Sequence, residues 1–303
     1  MKVNGLSVRS NVIDKVFNIC LNIFMLLIMI ITIYPFLNVL AISLNDSMDS
    51  VKGGIYVWPR VFTLKNYETI FAYETLLTGF VNTTLRTVLG TILGVFSASM
   101  VAYTFSCKDF QARKLFSRLF IFTMYVSGGL IPYYILIRDL NMFDTFAVYI
   151  IPGLLSVFNV FVIRSYIDGL PYALQESAKI EGANDFIIFL KIIIPLCKPV
   201  LATIALFIAV GHWNSWFDTY LFNASDKKLT TLQYELMKVI QSAQSGNDAH
   251  SYSGKSLVEM LSQVSPESIK MAITIVVTVP ILVVYPFLQK YFVQGVTLGA
   301  VKS

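Results

Sequence analysis

The sequence is poor in charge: only 14% of its 303 residues are Asp, Glu, Lys or Arg, while 56% are hydrophobic. Soluble domains carry about 25% charged and about 45–50% apolar residues, so an ordinary water-soluble enzyme is excluded. A disordered chain is excluded too, because disorder needs low hydrophobicity. Histidine is almost missing, with His212 and His250 alone, so no H-E-x-x-H or His-rich metal site can be assembled. The three cysteines, Cys20, Cys107 and Cys197, are odd in number and lack C-x-x-C spacing. They read as small fillers in or near apolar segments rather than a disulfide framework or metal site. No G-x-S-x-G elbow occurs, and Gly254-Lys255-Ser256 only imitates the end of a phosphate loop, since Ala249 stands where its first glycine belongs. No repeat of 20–50 residues is present. The chain carries no catalytic engine or metal site of its own.

What it has instead is apolar length, with a mean hydropathy of +0.68. No charge occurs in Val16–Leu44, Thr87–Cys107, Leu119–Ile137, Thr145–Ile163, Pro199–Phe217 or Met271–Gln289, each at least 19 residues long. A helix crossing about 30 Å of hydrocarbon needs about 20 residues. The expectation is an all-α polytopic membrane protein, a single transmembrane domain with spans near 16–42, 84–107, 115–137, 145–166, 196–217 and 270–291. Pro35, Pro132, Pro152, Pro280 and Pro286 fall inside or at the ends of these spans, which a packed bundle tolerates. The net charge of +5 fits basic loops on the cytoplasmic face, not a nucleic-acid partner. Lys2, Arg9 and Lys15, then Lys108, Arg113, Lys114 and Arg118, then Arg164, Lys179, Lys191 and Lys198 mark that face. Both termini are therefore expected in the cytoplasm. The polar stretch 241–256 is then external.

The most informative segment is the inner loop 167–195 with its flanks, where four basic and four acidic residues lie between Arg164 and Lys198. Pro171 suits a first helical turn and Gly182 a helix end, so 172–181 reads as a short helix. Asn184 can cap a second helix through Asp185–Ile193, stopped near Pro195, with Phe186, Phe189, Leu190 and Ile193 facing the bundle. The first helix carries small Ser177 and Ala178 beside Glu176 and Lys179. That composition suits docking into a cleft of another protein and suits an amphipathic helix on lipid equally.

Glu176-Ser177-Ala178-x3-Gly182-x9-Ile192-x-Ile194-Pro195 resembles the E-A-A-x3-G-x9-I-x-L-P loop of ATP-binding-cassette importer permeases, with Ser177 and Ile194 as mild departures. Gly53–Pro59 with Asn66-Tyr67, Gly128–Thr145, His212–Asp218 and Tyr285–Ser303 resemble the carbohydrate, lipo-oligosaccharide-type branch. The resemblance implies the type I importer (MetI-like) fold of six transmembrane helices with a short cytoplasmic coupling helix. It implies a non-enzymatic subunit importing an oligosaccharide or glycan-derived sugar into a bacterial cell by alternating access. A second homologous permease, a cytoplasmic ATPase dimer holding ATP and Mg, and an extracellular sugar-binding lipoprotein would accompany it, and this chain would bind no cofactor. Glu176, Ser177, Ala178 and Gly182 would form the coupling contact, and the tail 295–303 would extend toward the ATPase. The competing reading, a stand-alone secondary transporter, predicts charged residues at mid-span, and the six runs offer none.

For the sugar path, polar and aromatic residues inside or beside the spans are the candidates: Asn82, Tyr125, Ser127, Tyr149, Trp213, Asn214 and Trp216. Five of them have a bland counterpart. Trp213 and Trp216 suit an interfacial aromatic belt, Tyr125 and Tyr149 suit packed core, and Asn214 suits an interhelical hydrogen bond.

Overall fold

A computed structural model describes residues 12–72, 74–244 and 265–300. Among the described residues the chain is helical apart from turns and one isolated bridge, Asn45 with Phe62. It divides into two compact units, 1–70 with 252–275 and 71–251 with 276–303.

In the first unit, α1 (Val12–Ser43) is exposed along its whole course from Asp14 to Phe36. An apolar helix bare on every side in isolation has lipid or another span as its only stable surroundings. Beyond it, the short α2 (Ser47–Ser50) is capped by Asp46, whose Oδ1 accepts the N–H groups of Met48 and Asp49. The segment after it folds back on α1: Asn38 Nδ2 donates to the carbonyls of Ile55 and Tyr56 at 2.7 and 2.8 Å. Buried Asn66, in α3 (Lys65–Phe71), donates to the carbonyls of Ser43 and Asn45. A knot of amide hydrogen bonds thus closes this loop without a sheet.

The second unit is organised on α4 (Glu74–Ser106), 33 residues long. Its glycines let neighbours in: a Cβ on Gly90 would meet His212 Nε2 at 2.3 Å, and one on Gly79 would meet Leu232 N at 3.0 Å. Next come α5 (Arg113–Tyr125) and α6 (Leu130–Asp139), bent by 117° at 126–129. A 3-10 turn (Phe146–Tyr149), a non-helical stretch 151–156 and α7 (Val157–Ile167) follow. The loop helices are α8 (Ala173–Ile180), α9 (Asp185–Ile188), a π-helical turn (Phe189–Ile193) and α10 (Ile194–Leu196). The series ends with α11 (Lys198–Asn214), α12 (Phe217–Phe222), α13 (Leu232–Gln244) and α14 (Pro266–Ala300), the last shared with the first unit.

Three of the expected spans are single helices of crossing length, in α1, α4 and α14. Residues 113–139 and 185–214 are bent pairs that reach that length only together. Residues 145–166 are interrupted around Pro152-Gly153, leaving α7 with 11 residues, or about 16 Å of rise.

Two local expectations are corrected. The second loop helix does stop near Pro195, ending at Leu196, but it is not regular: Ile194 N–H reaches five residues back to Phe189 O, so 189–193 is a π turn. The packed face differs from the expected one: Ile188, Phe189 and Ile193 are buried, whereas Phe186 is 56% and Leu190 40% exposed. At the C-terminus the backbone stays helical to Ala300, so 295–300 does not take the extended path expected of a tail with Gly295 and Gly299. The stretches 245–264 and 301–303 lie outside the described residues.

Candidate functional site

Helix α8 begins after Pro171 and ends in a Schellman turn. Ala183 N–H bonds Ala178 O and Gly182 N–H bonds Lys179 O, both at 3.0 Å, with Gly182 at φ +84°. A left-handed residue there favours glycine. Asn184 then caps α9, its Oδ1 accepting Ile187 N–H at 2.8 Å.

The two faces of α8 differ sharply. Gln175 and Ala178 are buried, and Ala178 belongs to the apolar core made by Ala98, Ala102, Ile163, Phe189 and Ile204. The small side chain expected to admit another protein therefore lets α8 seat on its own bundle. Glu176, Ser177 and Gly182 are exposed as expected of a contact surface. Sequence reasoning missed the apolar members of that face: Ile180 is 87% exposed and Leu174 is 42% exposed. Their signal was the i, i+3, i+6 spacing of Leu174, Ser177 and Ile180.

A second feature is the brace under α8. Lys179 Nζ lies 2.8 Å from Asp109 Oδ2 and 3.5 Å from Asp185 Oδ1, while Lys108 Nζ sits 3.8 Å from the centre of the Tyr172 ring. Both ends of the helix are thus tied to the Lys108-Asp109 turn that follows α4. The hydrogen bond from Lys179 holds the Asp109 carboxyl below the usual carboxylate range, and the same bond pushes Lys179 above the usual lysine value. Each group stays charged across the neutral range.

At the far end of α4, residues proposed for a sugar path are engaged within the chain. Asn82 Nδ2 donates to Lys228 O and Thr230 O at 2.7 and 2.8 Å, and Tyr149 Oη donates to Leu229 O at 2.5 Å. Trp213 Nε1 donates to Val277 O at 3.0 Å. Beside Asn82 and Tyr149, Arg86 pairs with Asp218, a contact that the sequence did not foretell. Arg86 is 2% exposed, sits 4.5 Å from the centre of the Tyr149 ring and also reaches Ser215 O at 3.4 Å. Ser215 Oγ and Thr219 N–H donate to Asp218 Oδ1 at 2.9 and 3.0 Å. Nearby, Leu232 N–H donates to Thr83 Oγ1 at 2.9 Å, and buried Glu235 is held by Thr230 and Lys238. This clamp fastens 215–235 to α4. Its sequence signal was that Arg86 and Asp218 each flank an uncharged run. The remaining candidates lie open: Tyr125 is 84% exposed, Ser127 and Asn214 are exposed, and Trp216 packs beside Phe217 and Tyr220.

No protein-family model matches the sequence. The chain is 33% identical over 291 residues to the polygalacturonan/rhamnogalacturonan transport system permease YtcP of Bacillus subtilis, covering 96% of this chain and 99% of that one. It is 36% identical over 290 residues to LplC of the same organism, covering 95% and 96%. The chain belongs to the permease subunits of ATP-binding-cassette sugar importers. The fold agrees: the structure superposes on a bacterial ABC transporter involved in import of the acidic polysaccharide alginate with TM-score 0.82, 26% identity, and coverage of 95% of this chain and 100% of that one. The all-α importer-permease fold read from the sequence is therefore the observed one, and the stand-alone secondary transporter is set aside. This permease is a multi-pass membrane transport subunit rather than an enzyme. Its buried pair Arg86–Asp218 is fastened inside one unit.

Proposed function

We propose that this permease supplies half of the pathway of an oligosaccharide importer, and that α8 is its coupling helix. The observation that carries the reading is the division of α8 into a buried face, Gln175 and Ala178, and a bare face that joins Leu174, Ser177 and Ile180 to Glu176. A monomer gains nothing from an isoleucine left in water, whereas an apolar anchor rimmed by charge is what a protein groove accepts. The groove belongs to a cytoplasmic ATPase dimer, which holds ATP and Mg and performs all hydrolysis. A second permease and an extracellular sugar-binding lipoprotein complete the assembly, and both termini of this chain face the cytoplasm in accord with its basic loops.

The physical route for the motion is the core. Ala178 packs in one cluster with residues of α4, α7, the π turn and α11, and close-packed interiors transmit displacement rather than absorb it. When ATP draws the ATPase subunits together, a shift of α8 is passed to those helices and reorients the cavity. Two relatives carry the names of acidic polysaccharides, which makes a uronate-containing oligosaccharide the first substrate to test. Replacing exposed Glu176 by Lys tests the reading: uptake should be lost while the chain still inserts and folds. Normal uptake by Glu176→Lys would contradict the coupling role.

A further inference from the structure

We infer that the helix 185–196, made of α9, the π turn and α10, lies along the cytoplasmic surface of the membrane and binds acidic phospholipids there. The inference rests on the reading of α8 as the coupling helix, which fixes this end of the bundle as the cytoplasmic one. It starts from a surplus of apolar surface. The core side of the helix is complete, with Ile188, Phe189 and Ile193 buried. Phe186 is nevertheless 56% exposed, and Ile187 and Leu190 also lie open. Phe186 and Leu190 stand one turn apart on the same face. A helix that is apolar on its outer side as well as its core side is stable only where something other than water covers it.

The direction and depth of the helix identify that cover. Residues 185–196 meet α11 at a bend of 83°, with Cys197 buried at the corner. The uncharged run Pro199–Phe217 supplies about the 20 residues that a crossing needs, and spans tilt by about 20° on average. A helix nearly perpendicular to such a span runs along the membrane surface, and at 1.5 Å per residue this one lays down about 18 Å of chain. Its depth follows from Phe189, whose ring centre lies 6.0 Å from that of Phe96 and 5.6 Å from that of Tyr103. Both belong to the uncharged run Thr87–Cys107 of α4, so the helix packs beside the inner turns of that span and not beyond its end. Apolar side chains bare at that level face the boundary between acyl chains and headgroups, as in an interfacial helix. The charge agrees. Lys191 follows Leu190, Lys198 stands just past the corner, and both are exposed. Among the described residues no carboxylate pairs with either, whereas Lys179 on the neighbouring α8 is taken up by Asp109 and Asp185. Three apolar side chains beside two available ammonium groups match a phospholipid with net negative charge, its acyl chains on the apolar face and its phosphate at the lysines.

The test uses the assembled transporter in native membranes, with the photocrosslinker p-benzoylphenylalanine in place of Phe186 and, in a second chain, of Leu190. Irradiation should give lipid adducts at both positions, read by mass spectrometry of the permease. Crosslinks mainly to the second permease or to the ATPase would overturn the proposal. The same reporter in place of Ile180 tests the coupling reading by itself and should capture the ATPase; if it does not, that reading fails, while adducts at Phe186 still decide this one. Headgroup preference is read on the purified complex in vesicles of phosphatidylcholine with increasing phosphatidylglycerol. Because the helix follows α8 directly across Gly182–Asn184, lipid that holds it steadies the coupling helix, and ATP hydrolysis should rise with phosphatidylglycerol. The content giving half of that rise should increase about fivefold for each of Lys191→Gln and Lys198→Gln, the weight of one basic residue at an acidic surface. Equal hydrolysis in both lipids by the wild type, or a rise that the double variant keeps unchanged, would overturn the acidic-lipid site.

Discussion

The clamp around Arg86 and the bare face of α8 use the same kinds of residue to opposite ends. At the clamp, a guanidinium, a carboxylate, an amide and a phenol are hidden, and each meets a partner inside the chain. On α8, a carboxylate, a hydroxyl and two aliphatic side chains point outward, and Ile180 keeps 87% of its surface in solvent. Polar groups that are buried and mutually satisfied hold a shape, whereas polar and apolar groups displayed together on a firmly seated helix are available to another surface. Residue type alone does not separate these cases. The distinction lies in where the partner atoms are.

Substitutions at three places sharpen that contrast. The largest effect belongs to Arg86→Met, which leaves Asp218 in a half-buried site without its cation. Breaking such a pair costs about 3–5 kcal/mol. The melting temperature of the purified permease should drop clearly, and adding Asp218→Asn should restore much of it. An unchanged melting temperature would contradict a clamp held by this pair. Next is Gly182→Val. Its φ of +84° costs an L-residue roughly 1–2 kcal/mol, and a β-branched one more. The end of α8 should shift, and recovery of the ATPase with the permease should fall although the melting temperature changes little. If assembly is normal, Gly182 is only a helix end.

The smallest effect concerns the brace. Asp109→Lys and Lys179→Asp should each loosen α8 and lower uptake per ATP hydrolysed, and the double exchange should recover it. The pair is exposed, so overall stability should hardly change. Its pH dependence follows from the two shifts. The lowered Asp109 contributes above the ordinary carboxylate range and is lost as pH falls through its depressed value. The raised Lys179 contributes below the ordinary lysine range and is lost as pH rises through its elevated value. From about pH 5 to about pH 9 the brace is therefore constant, and a coupling ratio that changed steeply in that window in the wild type, but not in the double exchange, would contradict this account.

How much of this was legible beforehand follows the range of the interactions. The helix end at Gly182 and the cap at Asn184 depend on residues within one turn, and both are found as read. The family likeness sits in contiguous motifs and was equally plain. The breaks at 126–129 and 151–156 were hidden because an uncharged run records composition, not continuity. Gly128-Gly129 and Pro152-Gly153 are signals of these breaks, but a proline or glycine is equally compatible with a continuous span in a packed bundle. Arg86 and Asp218 lie 132 residues apart, so only tertiary packing could show that they meet. That Ala178 packs on the bundle was not legible, because a short helix with small residues on both sides does not declare which side is covered. The π turn at 189–193 was hidden for a similar reason: an added residue cannot be counted from spacing.

The account stands most directly on what α8 touches. The decisive measurement is affinity purification of the tagged permease from native membranes in mild detergent, comparing the wild type with Ile180→Asp, with the associated proteins quantified by mass spectrometry. The wild type should bring a second permease and an ABC ATPase. Ile180→Asp should keep the second permease and lose most of the ATPase, because the side chain changed is bare in the folded chain and its loss cannot unfold the core. Equal recovery of the ATPase with both chains would contradict the claim that this face of α8 is the coupling surface.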